Sequence, residues 1–127
     1  MILIGSDINS WGYHSDDGNI FCCPEYGELY GLVFTTDDTI GCCLNFTNDT
    51  VFYTKNGVHL GFYNIFQRIA LRDLKGVLYP CVGLKSQGGA VEANFGHKKF
   101  KYAGNIYYHL MFFNIFYIFV LIILFYE

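Results

Sequence analysis

The sequence has little charge, and it lacks the basic surface that nucleic-acid binding requires. Charged residues make up 15% of the 127 residues, whereas a typical soluble domain has about a quarter. The formal net charge is −3, so the sequence shows no electrostatic footprint of a nucleic-acid partner. The one basic cluster, HKKFK at residues 97–101, directly precedes an apolar run. Its position points to a membrane surface rather than to nucleic acid.

The cysteines lack the spacing of a metal site or of a disulfide framework. No C-x-x-C spacing is present, which argues against a zinc site. Two pairs are adjacent in sequence, and neighbouring residues of a strand point to opposite faces, so an adjacent pair does not readily bind one metal ion. An odd number of cysteines is also a poor disulfide framework. We therefore expect free thiols in a reducing compartment, and neither metal nor cofactor. The five are Cys22, Cys23, Cys42, Cys43 and Cys81.

Signatures of catalysis are missing as well. His14, Ser15 and Asp16 are the residue types of a hydrolase triad, but triad partners meet through the fold rather than as consecutive residues. No G-x-S-x-G motif occurs. The pairs 16–17 and 37–38 are both Asp-Asp at predicted turns, where Asp is favoured by its own side-chain hydrogen bonds. Acid–base or cation-binding pairs are the alternative interpretation. We expect no enzyme activity and no small-molecule substrate.

Aromatic and β-branched runs are abundant, and turn signals separate them about every ten residues, a pattern typical of an all-β sandwich or barrel. Asn56-Gly57 tolerates positive φ at both positions, as a type I′ turn requires. Residues 51–55 and 58–62 should therefore form an antiparallel hairpin. Residues 63–76 are the least strand-like and are predicted to be a loop with a short helix. Further strands are predicted at residues 2–4, SWGYH, NIFCC, YGLVF, 40–46, VLYPCVGL and AVEANFG.

The last part of the sequence has a different character. Residues 102–126 carry no charge, and His109 and Asn114 are the only residues of 106–126 that are neither apolar nor aromatic. As a helix, 106–126 would be about 31 Å long, which matches a hydrocarbon core of about 30 Å. The run predicts a transmembrane helix, with residues 1–100 cytoplasmic by the positive-inside tendency. A buried terminal helix, or a run that is no native structure, is the alternative; the chain would then be soluble in cytoplasm or nucleus.

Four segments resemble a known family: SWGYHSDDG, FTTDDTIGCCLNFTNDTVFYTKNG, LYPCVGL and VEANFG. Their order and spacing are similar to those of the SPRY (B30.2) domain, in particular that of the Ran-binding-protein-9/10 (RanBPM) family, over about residues 2–100. The resemblance implies a bent β-sandwich of two antiparallel sheets. It also implies a non-enzymatic adaptor or scaffold whose loops bind short peptide segments of partner proteins, with a link to the CTLH/GID ubiquitin-ligase assembly.

The sequence departs from that family pattern at both ends. The family's domain begins several strands earlier, so we expect an N-terminally incomplete sandwich with unpaired strand edges in residues 1–100. The LisH and CTLH helices that follow SPRY in the family are replaced here by the apolar tail of residues 101–127. A second hypothesis follows, in which the chain is a tail-anchored membrane protein and the SPRY region is a degenerate cytosolic appendage.

The resemblance also implies a peptide-binding surface at the sandwich rim. It maps to the loop before the last strand and to an aromatic residue after the WG strand, with two residues of the preceding strand near by. Trp11 and Tyr13 share one strand face, for which core packing is the main interpretation and an aromatic anchor for a partner the alternative. The hairpin at Asn56-Gly57 is expected to be framework that fixes strand register. The predicted peptide contacts are Tyr13, His14, Phe21, Lys85, Ser86, Gln87 and Gly88.

Overall fold

The computed structural model describes residues 10–22, 27–45, 50–60, 78–84, 87–102, 109–115 and 120–126. Within these ranges the chain forms β-strands and no α-helix, and every strand pairing is antiparallel. The predicted strand at 2–4 and the predicted loop and helix at 63–76 lie outside the described residues. The strands are β1 (Ser10–His14), β2 (Asn19–Cys22), β3 (Glu28–Leu29), β4 (Thr39–Asn45), β5 (Thr50–Lys55), β6 (Val58–His59), β7 (Leu78–Leu84), β8 (Val91–Asn94), β9 (His109–Ile115) and β10 (Val120–Tyr126).

The described strands form two five-stranded sheets. The order in the first sheet is β3-β2-β1-β10-β7, and the order in the second is β6-β5-β4-β9-β8. The sheets pack face to face. The ring centroids of Tyr13 in the first sheet and Tyr53 in the second are 5.2 Å apart. This arrangement confirms the predicted all-β fold and is consistent with a SPRY β-sandwich.

An aromatic cluster fills the space between the sheets. The Tyr13 ring lies 5.8 Å from Tyr30 and 4.9 Å from Phe34, and Tyr30 lies 5.9 Å from Tyr53. All four side chains are buried. Tilted and edge-on aromatic pairs at such distances contribute about 0.5–1.5 kcal/mol each beyond their area burial. Alternation along β1 therefore places Tyr13 in the core, as the main sequence interpretation expected.

The Asn56-Gly57 hairpin forms as predicted. Asn56 has φ 52° and Gly57 has φ 85°, and β5 and β6 pair with Lys55 opposite Val58. A side chain at position 57 would also press against the backbone of Lys101, so glycine is required there for space as well as for φ. The described part of β6 ends earlier than the predicted strand.

The apolar tail forms two strands in the structure, and the predicted helix over 106–126 is not confirmed. Strand β10 lies between β1 and β7, and β9 lies between β4 and β8. Phe, Ile, Tyr and Val favour strands, and a strand with a partner on each side satisfies its backbone within the sheet. Both tail strands are therefore interior strands of their sheets. The expected loss of N-terminal strands stays a prediction. No helix of the described ranges combines the length and the apolar character needed to cross a bilayer.

Candidate peptide-binding rim

Strand direction brings the C-terminal ends of two strands that are distant in sequence to the same end of the first sheet. Both β1 and β7 pair antiparallel with β10, so they run in the same direction. His14 and Gly83 pair with the same residue, Leu121, from its two sides. Neighbouring strands are about 4.8 Å apart, so these two backbones lie about 10 Å from each other. The C-terminal ends of β1 and β7 therefore lie at the same end of the first sheet, with β10 between them.

The second sheet contributes loops to the same end of the sandwich. The connection after Leu84, which ends β7, leads to Val91, which begins β8 in the second sheet. Val91 pairs with Ile115, next to the pair that Thr39 forms with Asn114. The starts of β8 and β4 therefore face the ends of β1 and β7. We call this end the loop rim; its described loops are residues 15–18, 31–38, 56–57 and 87–90.

Backbone hydrogen bonds connect the rim loops that lie on the first sheet's side. The N–H of Phe34 donates to the carbonyl of Ser15 at 3.1 Å, and the N–H of Gly31 donates to that of Gly18 at 3.0 Å. Gly18 has φ +71°, and a side chain there would collide with the Gly31 carbonyl. The hydroxyl of Tyr13 donates to the carbonyl of Leu32. Residues 31–34 are thus held against the end of β1.

Asp38 connects the loop before β4 to the β5–β6 hairpin. Its carboxylate accepts hydrogen bonds from the Thr35 N–H and the Asn56 side-chain amide, both at 2.8 Å. The Lys55 ammonium lies 3.5 Å away and donates to the Val33 carbonyl at 2.9 Å. Burial raises the pKa of Asp38, but the two hydrogen bonds and the Lys55 charge outweigh it and lower the pKa below its usual value. Turn chemistry is therefore confirmed as the role of Asp38.

Two predicted contact residues meet at the rim on the outer side of the first sheet. The rings of His14 and Phe21 are stacked, with centroids 3.9 Å apart and planes at 23°. Phe21 pairs with Gly12 across the sheet. Because Gly12 has no side chain, the Phe21 ring can lie across His14. Both rings are half-buried, so part of this aromatic pair is presented to solvent.

Gln87 and Gly88 are exposed in the turn before β8, at the same rim. Lys85 and Ser86 lie outside the described residues. The chain therefore brings four of the seven predicted residues, His14, Phe21, Gln87 and Gly88, to one end of the sandwich. Their role as peptide contacts stays a prediction.

Tyr13 requires a correction as a peptide contact. Its side chain is completely buried, with 0% exposure, because residue 13 faces inward when His14 faces outward. Burial, and secondarily the neighbouring Tyr30, raises the pKa of its hydroxyl far above the ordinary value. A peptide at the surface could not reach this ring unless the core opened. Tyr13 supports the rim from below through Leu32.

Sequence reasoning missed the exposed apolar residues of the rim. Leu32 is 45% exposed, Val33 54% and Val58 51%. Leu32 and Val33 belong to the run YGLVF, which looks like strand, whereas the structure has no strand among residues 30–34. Nothing in the local pattern distinguishes an exposed valine from a buried one, so no sequence signal was available for them.

His14, Asp16 and Asp17 are close enough to be considered as metal ligands. One potential ligand atom from each lies within 4.8 Å of the others, and both aspartates are exposed. Asp17 accepts a hydrogen bond from the N–H of Asn19 at 2.9 Å, which is ordinary turn chemistry. Exposed acidic groups often lie this close without a metal ion, and we assign none here.

Comparison with known proteins agrees with this architecture. The family model of the SPRY domain matches residues 1–98. The "Ran-binding proteins 9/10 homolog" of Drosophila melanogaster is 55% identical over 100 residues, which cover 79% of this chain and 10% of that protein. Human "Ran-binding protein 9" is 52% identical over 98 residues, covering 77% of this chain and 12% of that protein.

A plant protein extends this relationship. The "Ran-binding protein M homolog" of Arabidopsis thaliana is 40% identical over 98 residues, which cover 77% of this chain and 20% of that protein. The chain thus aligns with between a tenth and a fifth of the length of these relatives. The family match over residues 1–98 includes strands β1 to β8 and the rim loops. The chain belongs to the SPRY domain family.

Proposed function

We propose that this protein is a non-enzymatic interaction module that binds short peptide segments of partner proteins at the loop rim. The observation that carries the proposal is the convergence of His14, Phe21, Gln87 and Gly88 from separate parts of the chain. The parallel course of β1 and β7, the pairing of Phe21 beside β1 and the position of residues 87 and 88 before β8 support this proposal. Partly exposed aromatic rings beside exposed turn residues are a suitable surface for a peptide.

The proposal extends to the kind of protein in which the module works. A RanBPM-like adaptor or scaffold in the cytoplasm or nucleus is the setting we infer from membership of the SPRY family and similarity to the RanBPM-type relatives. The free thiols of Cys42 and Cys43 are compatible with a reducing compartment. A link to a CTLH/GID-type ubiquitin ligase is a finer hypothesis, which co-purification with the subunits of that assembly would test.

Selection from a random peptide library tests the proposed binding directly. The full chain is immobilised, phage-displayed peptides are selected, and the affinity of each synthetic peptide is measured by fluorescence polarisation. We expect Phe21→Ala and Gln87→Ala each to weaken binding by about five- to thirtyfold, because truncating a central contact costs about 1–2 kcal/mol. The urea midpoint of Gln87→Ala should stay unchanged, because residue 87 is exposed in a turn.

Phe95→Ala is the matched control. Phe95 is 59% exposed and follows the end of β8 that lies away from the rim. Its removal should leave the affinity for every selected peptide unchanged. Failure to select any peptide, or equal losses for Phe21→Ala and Phe95→Ala, would contradict the proposed function.

A further inference from the structure

Three exposed apolar side chains form a surface on the loop rim, which we call the rim patch: Leu32, Val33 and Val58. Val33 and Val58 are connected through Lys55, which donates to the carbonyl of Val33 and pairs with Val58 in the hairpin. Leu32 adjoins Val33 and is held by Tyr13. About half of each side chain is exposed. Such residues release bound water when a partner covers them, which favours association.

Carboxylates surround the rim patch. Asp17 immediately precedes Gly18, whose backbone touches Gly31 and Leu32. Asp37 lies at the other side, in the turn that Asp38 ties to Asn56 beside Val58. Both Asp17 and Asp37 are exposed, as is Asp16. Apolar contacts and negative charge are therefore presented together.

Two described cations lie near the rim patch, and neither reverses this balance. Lys55 is engaged by Asp38 and by the Val33 carbonyl. Lys101 is exposed, and its backbone lies against Gly57, on the outer side of the hairpin. The described rim loops carry the carboxylates of Asp16, Asp17, Asp37 and Asp38, and Asp38 is paired with Lys55. Three carboxylates therefore remain beside one further lysine, Lys101. The remaining field is negative, and it extends about 8 Å in physiological salt.

We propose that the rim patch binds a peptide segment in which Lys or Arg residues flank an apolar side chain. The apolar side chain covers Leu32, Val33 and Val58, while the flanking cations lie beside Asp17 and Asp37. This inference rests on the proposed function, because it assigns the partner chemistry of the same rim. Complementary charge selects the partner, steers its approach and excludes acidic segments, whereas burial of the patch supplies affinity.

Three labelled peptides that share the same apolar residues, and differ only in the residues between them, test the proposal on the full chain. The peptides alternate leucine and isoleucine with lysine, with serine or with glutamate. We expect the lysine peptide to bind most tightly, and its affinity to fall as sodium chloride is raised. In the Asp17→Asn/Asp37→Asn double variant its affinity should fall about fivefold, which corresponds to two exposed ion pairs. Asparagine keeps both turns, because it accepts the same hydrogen bond and tolerates positive φ.

Control variants distinguish the contribution of charge from that of the rim patch, and both from the proposed peptide binding as such. Glu28→Gln removes an exposed carboxylate from edge strand β3 and should leave binding unchanged. Val33→Thr keeps the shape of the side chain but makes it polar, and it should lower the affinity for the lysine peptide. The inference is overturned if the serine or glutamate peptide binds as tightly as the lysine peptide, or if the double variant binds normally. Library peptides that need Phe21 and Gln87 but show no cation preference would leave the proposed function standing without this inference.

Discussion

Two core tyrosines differ in the use of their hydroxyl groups. The hydroxyl of Tyr30 accepts a hydrogen bond from the backbone N–H of Tyr53 at 2.9 Å. The hydroxyl of Tyr53 is buried without a strong hydrogen-bond partner, because the group beside it is the thiol of Cys42, which hydrogen-bonds weakly. A buried polar group without a partner costs free energy, whereas a satisfied one is close to neutral or stabilising. The same substitution should therefore destabilise the protein at position 30 but not at position 53.

We expect Tyr30→Phe to lower the free energy of unfolding by about 1–3 kcal/mol, because it leaves the buried N–H of Tyr53 without its acceptor. Tyr53→Phe should leave stability unchanged or raise it, because it removes a hydroxyl whose desolvation is offset only weakly, by the Cys42 thiol. Both variants keep the ring and its packing, so each is the control for the other. Urea unfolding followed by circular dichroism measures the difference, and equal losses in both variants would contradict this account.

Residue-level reasoning from sequence succeeded where local chemistry decides the outcome. The turn at Asp37-Asp38 and the positive φ of Asn56 follow from side-chain hydrogen bonding and steric tolerance. Alternation also shows that Tyr13 and His14 face opposite ways, but it does not show which face is covered. The candidate site was therefore predicted only in part: its loops were found, Tyr13 was misassigned, and the rim patch was missed.

Strands with an alternating pattern and turn signals on both sides could be predicted from the sequence. The segments SWGYH and VLYPCVGL correspond closely to β1 and β7. Strands β9 and β10 were not predictable from the sequence. A continuous apolar run has no periodicity that distinguishes a buried strand from a helix. The length of that run favoured a membrane helix. Only the pairing of β9 and β10 with strands far away in sequence distinguishes the two.

At the scale of elements, removal of residues 103–127 should disrupt the sandwich. Strands β1 and β7 would lose β10, and β4 and β8 would lose β9, so four strand edges and much apolar surface would be exposed. We expect the truncated chain to aggregate or to lose cooperative unfolding. Expression of both chains with the same solubility tag, followed by urea unfolding and amide hydrogen exchange, makes the comparison.

Hydrogen exchange in β1 and β4 is the decisive readout of that comparison. Both strands have a tail strand on one side and a second neighbour on the other, so their amides should lose protection when the tail is removed. A truncated chain that unfolds cooperatively with unchanged protection in β1 and β4 would show that the tail is separate from the sandwich.

At the scale of the whole molecule, Cys42 and Cys43 report on the integrity of both sides of the second sheet. They are neighbours on β4, opposite Tyr53 and Phe52 respectively, so their side chains point to opposite faces. Both are free thiols with 0% exposure, which means that both faces of β4 are covered. The inner face is covered by the first sheet, and Phe52 on the outer face is covered by His59 and Tyr102.

We therefore expect iodoacetamide to label Cys42 and Cys43 only when the molecule unfolds. Burial raises the pKa of the Cys42 thiol to about 12, so the reactive thiolate is scarce as well as inaccessible at pH 8. Labelling should be measured by peptide mass spectrometry across a urea series, with the three other cysteines read in the same digests. A two-state domain predicts one midpoint for Cys42, Cys43 and circular dichroism. Labelling of Cys43 at lower urea than Cys42 would instead show that residues 100–102 detach from the outer face before the sheets separate, and that the sandwich opens in stages.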